Sequence, residues 1–239
     1  MPSYAAADAE PPAGIVLAFD TAGSACSAAV ARDGRTVAHE RREMRHGHAE
    51  ALLPMIERVT LAAGAAPTEI RVVAVTVGPG GFTGIRAGLA AAQGIALAAG
   101  ARLVGITSFA AVAALVEGDD RPLLIALDGR REELFVQLFD AGDNPYGEPA
   151  AVPPRELGGF VGGRIGAVPL RLAGDAAAAA AAALAAHGGV VALSGVVPDA
   201  AGVLAALRAY PNRLAPAGPL YLRPADVSLP RSQAVGIVP

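Results

Sequence analysis

With 239 residues, 53% of them apolar, and a formal net charge of −3, the chain is long enough to bury a large core. It has neither the basic excess nor, with ten Phe and Tyr and no Trp, the aromatic content of an independent nucleic-acid binder. All nineteen basic residues are arginine, which excludes a P-loop G-K-[ST], a Schiff-base lysine and a Ser-Lys dyad.

Residues 1–13 carry two acids and no base, lack the regions of a secretory signal, and read as a disordered tail. Residues 15–19 read as a buried strand ending at Asp20–Thr21, with Ala22–Gly23–Ser24 as a turn. Segments 27–32 and 36–40 flank Asp33–Gly34, a strong hairpin signal, so three antiparallel strands open the protein. After a charged connector at 41–45 and His46–Gly47–His48, a helix places Ala49, Leu52, Leu53, Ile56 and Val59 on one face. Pro54 must lie in its first turn or kink it.

The β-branched run 72–77 reads as a central buried strand. Gly78–Pro79–Gly80–Gly81 and Gly84 then form a tight turn, and a small-sided helix runs over 84–99. Glycine and alanine at three- and four-residue spacings there admit another helix at close range. A short strand at 103–106 leads to a helix at 109–116 capped by Ser108, and the polar break at 117–120 marks a lobe boundary.

Segment 122–128 repeats the pattern of 14–20, an apolar run followed by Ala, one large apolar residue and Asp. A strand at 134–139 and a turn at 140–144 follow, so an internal duplication and two related lobes are expected. The Pro- and Gly-rich stretch 145–163 reads as an excursion loop. Beyond it come a strand at 169–173, a helix at 176–186 capped by Asp175, a helix at 200–210, and a compact segment at 219–224. The expected division is a tail at 1–13, a first lobe at 14–117 with partner-binding helices, a smaller second lobe at 118–227 and a loose tail at 228–239. Apolar runs such as 176–186 are short of the ~20 residues of a bilayer crossing, so no membrane is expected.

Several residues bear on chemistry. Gly80, Gly81 and Gly84 at a helix N-terminus fit a phosphate cradle, or equally a turn that packs strand on helix, and Pro79 removes one donor. Asp20 and Asp128, at strand ends, suit a hydrated metal beside a nucleotide or plain turn formation. Thr21 and Ser24 can cap that turn or touch phosphate. The His46-x-His48 pair has no third ligand placed to complete a zinc site. No G-x-S-x-G elbow is present. The single cysteine, Cys26, reads as a small buried residue.

Four motifs in order then carry a resemblance: Ile15–Val16–Leu17–Ala18–Phe19–Asp20–Thr21, GPGGFTGIRAG at 78–88, Leu127–Asp128–Gly129–Arg130, and Pro219–Leu220–Tyr221–Leu222–Arg223. Together the sequence resembles the TsaB (YeaZ) family. The resemblance implies an α/β, actin-like/sugar-kinase/Hsp70-type fold with two βββαβα lobes, the second reduced. It also implies a cytoplasmic role in making threonylcarbamoyl-adenosine in tRNA, with the transferase TsaD and the ATPase TsaE as partners. TsaD-type sequences carry an H-x-x-x-H metal pair that falls here on Ser108 and Val112, and neither replaces imidazole.

The implied part is therefore a non-catalytic subunit that needs no cofactor of its own, with ATP and metal on the partner subunits and tRNA reached only through the complex. Leu52, Leu53, Ile56, Ile85 and Leu89 are expected to form the docking surface for TsaD, and for a homodimer when TsaD is missing. The alternative is a stand-alone nucleotide-binding enzyme of the actin-like class, using Asp20, Thr21, Gly80, Gly81 and Thr83. A glycoprotease-like metallopeptidase would need the absent metal ligands.

Overall fold

The computed structural model describes residues 14–129 and 131–223; Arg130 and the tails expected at 1–13 and 228–239 lie outside them. The first lobe is a meander of β1 (Ile15–Asp20), β2 (Ala25–Arg32) and β3 (Arg35–Glu43), then α1 (His48–Ala62), β4 (Ile70–Gly78), α2 (Phe82–Ala99), β5 (Arg102–Thr107) and α3 (Ser108–Ala113). The second contains β6 (Leu123–Asp128), β7 (Leu134–Phe139), β8 (Pro145–Val152), α4 (Leu157–Ile165), β9 (Leu170–Ala173), α5 (Ala177–Ala183), β10 (Val190–Ala192) and α6 (Ala200–Ala209). The sheet orders are β3-β2-β1-β4-β5 and β10-β9-β6-β7-β8. Read from β8, the second sheet repeats the first, which is the duplication seen in the Asp20 and Asp128 segments.

The central strands β1 and β4 are buried along almost their whole length because helices cover both faces of the sheet. Asp33 and Gly34, both at positive φ, turn β2 into β3. On one face, Leu52, Met55, Ile56 and Val59 of α1 and Ile85, Leu89, Ala92 and Ala96 of α2 seat on the sheet. At 18 residues α2 is long and apolar enough to cross a membrane by length and composition, unlike the shorter apolar runs expected from the sequence. Here one stripe of it, Ile85, Leu89, Ala92 and Ala96, packs on the first sheet. Cys26 is buried in the same cluster, and burial pushes its thiol up to about 11.

Helices, unlike sheets, do not respect the boundary expected at 117/118. Val203, Leu204, Ala206 and Leu207 of α6 pack under the first sheet against Val16, Ala18, Val72 and Val104. Conversely, Phe109, Val112 and Ala113 of α3 pack on Leu123, Ile125, Leu127 and Phe135 of the second. Each lobe thus lends its last helix to the apolar face of the other. Asp199 fixes α6: its Oδ1 accepts from the Ala201 N–H at 2.6 Å and lies 2.8 Å from His39 Nε2, while Ser27 Oγ accepts from the Ala200 N–H at 2.9 Å.

Other expectations are corrected. The stretch 145–163 contains β8 and α4, not one loop. Its Pro145, Gly147 and Pro149 sit on an edge strand, where missing donors cost little, and α4 forms despite four glycines because Leu157 and Val161 are buried in the second core. Of the two alternatives for Pro54, the first turn is ruled out, since it lies inside α1 beyond that turn. Thr107, not Ser108, caps α3, accepting from the Ala110 N–H at 3.0 Å. Asp175 does not cap α5 but accepts from the Asp128 N–H at 2.9 Å. The alanine helix stops at Ala183, where Leu184 turns into the core.

Arg171 of β9, the largest fully buried side chain, joins the interlobe connector to the β7–β8 turn. Its guanidinium donates to the carbonyls of Glu117 at 2.7 Å and Arg121 at 2.9 Å, and pairs with Asp143 at 2.9 Å. Arg171→Ala strands those acceptors and leaves a void, so urea denaturation should show a loss of about 3 kcal/mol. A change under about 0.5 kcal/mol, the level of an ordinary surface substitution, would contradict this role.

Candidate functional site

The end of β1 and the glycine loop after β4 lie side by side because β1 and β4 are parallel neighbours, Phe19 opposite Val75. Asp20 is fully buried; its Oδ1 accepts from Thr76 Oγ1 at 2.5 Å and from the Ala22 N–H at 3.2 Å. Burial pushes its carboxyl up to about 6, against the lowering effect of the Thr76 and Ala22 bonds. Being raised, this pKa favours folding fully below about 3.8 and the contribution is lost as pH rises through about 6. Asp20→Asn keeps the acceptor for Thr76 without the charge. The variant should match the wild type in stability near pH 4 and exceed it by about 3 kcal/mol at pH 8, read from paired denaturation curves. A variant less stable at pH 8 would contradict that sign.

The glycines are explained by the turn they meet. The Gly81 N–H donates to the Ala22 carbonyl at 2.8 Å, and Thr21 Oγ1 donates to the Gly84 carbonyl at 2.7 Å. A Cβ at Gly80 would lie 2.4 Å from Ala22 O, and one at Gly84 2.0 Å from Thr21 O. The backbone of residues 21–22 therefore packs directly on the glycines and occupies the space their side chains would take. Of the two readings of the loop, the packing turn is the one this geometry supports.

A cavity of about 370 Å³ opens beside the loop, lined by Thr21, Gly81, Thr83 and Gly84 together with Arg45 and His48. Among the described residues no group of three or more His, Cys, Asp or Glu is placed to hold a metal. Asp128 is exposed whereas Asp20 is buried, so the two strand-end carboxylates occupy unlike surroundings. Ser108 and Val112 are one turn apart on α3, both buried.

The expected docking residues divide. Leu52, Ile56, Ile85 and Leu89 are buried against the chain's own first sheet and form no outer surface; only Leu53, 56% exposed, faces outward. Helical periodicity shows which residues share a stripe, but the fuller stripe belongs to the sheet. Leu61 on α1 and Leu97 on α2 are also exposed, at 80% and 86%. Gly94, exposed on α2, has open space where a Cβ would be. Leu61 and Gly94 were not among the expected docking residues; the signal was apolar residues left over from the buried stripe.

These features define a two-lobed α/β protein of the actin-like class, with the glycine loop packed on its own β1–β2 turn and exposed leucines on α1 and α2. The model of the TsaD family, tRNA N6-adenosine threonylcarbamoyltransferase, matches residues 41–149. Over 131 residues the chain is 34% identical to the tRNA threonylcarbamoyladenosine biosynthesis protein TsaB of Escherichia coli, covering 54% of this chain and 56% of that protein. It thus spans about half the length of that curated relative. An uncharacterized protein of Mycobacterium tuberculosis, Rv3421c, is 32% identical over 216 residues, 88% of this chain and 92% of its own. The solved structure of YeaZ from Pseudomonas aeruginosa superposes with a TM-score of 0.70 at 23% identity, covering 88% of this chain and all of that one, and shows the shared fold. The chain is thus similar to TsaB over about half of that protein's length and shares the fold of YeaZ.

Proposed function

We propose that the chain is a non-catalytic subunit for threonylcarbamoyl-adenosine synthesis in tRNA, acting in the cytoplasm by docking the outer face of α1 and α2 on TsaD. The observation that carries this reading is the exposure of large apolar side chains on these two helices, Leu53 and Leu61 on α1 and Leu97 on α2, with open space at Gly94. Burying each leucine is worth about 1.5–3 kcal/mol, and a glycine inside a helix costs about 1 kcal/mol with no return in this chain. A second helix lying against Gly94 supplies the return. The match of residues 41–149 to the TsaD model supports a partner with an equivalent helix pair. The name of the E. coli relative supports the pathway.

In this reading ATP and metal belong to TsaD and TsaE, tRNA is reached through the complex, and two copies pair through the same face when TsaD is absent. Docking that favours the active arrangement of TsaD raises its population. In this reading the glycines serve the packing of the loop on the β1–β2 turn, and titration calorimetry with magnesium ATP should show no binding to the chain alone.

Gly94→Leu tests the docking face. The added side chain has room in the isolated chain, so melting temperature should hold or rise, while sedimentation with TsaD should show association weakened about tenfold or more. Unchanged association would place the partner elsewhere.

A further inference from the structure

We propose that residues 214–223 form a strap that fixes the angle between the two lobes, with Arg223 as its clip on the second. The strap begins at the free edge of β5, where the Ala215 N–H donates to Gly105 O at 2.9 Å and the Gly105 N–H to Ala215 O at 3.2 Å. A Cβ at Gly105 would lie 2.6 Å from the Pro216 carbonyl, so the close approach requires glycine. Further on, the Leu220 N–H donates to Val77 O at 2.7 Å, and its carbonyl lies over Gly78, 2.8 Å from where a Cβ would stand.

Tyr221 then stacks on Phe82 with ring centroids 5.2 Å apart, and its hydroxyl accepts from Arg86 Nε at 3.1 Å. Both rings are more than a third exposed, so the stack is held by these contacts and not by burial. At the next two residues the strap changes lobes. Leu222 packs into the cluster formed by α3 and the second sheet. Arg223 pairs through Nη1 with Glu133 at 2.8 Å, donates through Nη2 to the Gly129 carbonyl, and stands over the Phe135 ring.

Val77–Gly78 and Gly129 mark the carboxyl ends of β4 and β6. Such ends border the crevice where open α/β sheets receive ligands, and the lobes of a two-lobed fold hinge around it. A segment hydrogen-bonded to one rim and clipped by a two-armed guanidinium to the other resists that hinge. The strap therefore supplies a stiffness independent of any partner on α1 and α2.

Hydrogen exchange of the full chain, followed by mass spectrometry, tests this. In Arg223→Ala, amides of residues 131–134, the turn before β7, should exchange about tenfold or more faster, with β1 and β4 unchanged, since charged hydrogen bonds gate local opening. The radius of gyration from small-angle scattering should rise. Arg223→Lys should fall between, keeping the charge without the fork. Should Arg223→Ala fail to fold, Glu133→Gln removes one arm of the clip and should shift the same amides in the same direction. Unchanged exchange in the turn, or equal acceleration across both sheets, would overturn the proposal.

Discussion

Alanine at position 84 should cost about 4 kcal/mol or more, a large share of the 5–15 kcal/mol that stabilises an ordinary domain. The new Cβ would stand 2.0 Å from Thr21 O, a backbone atom that no rotamer change can withdraw. Relief requires the β1–β2 turn to move away from α2. That motion breaks the Thr21 Oγ1–Gly84 O and Gly81 N–Ala22 O bonds together and loosens the cage around Asp20. Overpacking usually costs about 1–3 kcal/mol and each lost hydrogen bond about 1 kcal/mol more. Guanidinium denaturation of Gly84→Ala beside Gly94→Ala is the check. The second adds a methyl in open space on a helix and should stabilise by about 0.5–1 kcal/mol. A Gly84→Ala protein as stable as wild type would mean that the loop is not packed as described.

Leu53→Arg should weaken association with TsaD about a hundredfold or more while leaving the fold intact. Leu53 is 56% exposed and outside the core cluster, so the substitution touches little inside the chain. In a closed helix interface it buries a charge without a partner, which costs several kcal/mol. The contrast with Leu52 is the informative part. Leu52 is buried under the first sheet, so Leu52→Arg should unfold the protein and lose association only for that reason.

The duplicated lobes were legible because period-two strands and the Ala-x-Asp ending recur at Asp20 and Asp128. The exchange of α3 and α6 was not, since an apolar stripe on α6 fits either sheet and nothing local says which. Edge strand β8 and helix α4 were hidden by proline and glycine, whose cost the edge position and the burial of Leu157 and Val161 offset. At the site, the glycine spacing was visible but its cause was not, because the filler is the backbone of Thr21 and Ala22, distant in sequence. Of the five residues expected at the docking surface, Leu53 is exposed and the other four belong to the core. A helix's apolar stripe identifies neighbours, while its orientation is set by the sheet beneath.

The central claim is tested most directly by measuring transfer of the threonylcarbamoyl group to tRNA by TsaD with TsaE, in the presence of the wild-type chain, of Leu53→Arg, or with the wild-type chain alone. The account predicts product with wild type, a small fraction of it with Leu53→Arg at equal concentration, and none from the chain without TsaD. Turnover by the chain alone, or full activity with Leu53→Arg, would contradict it.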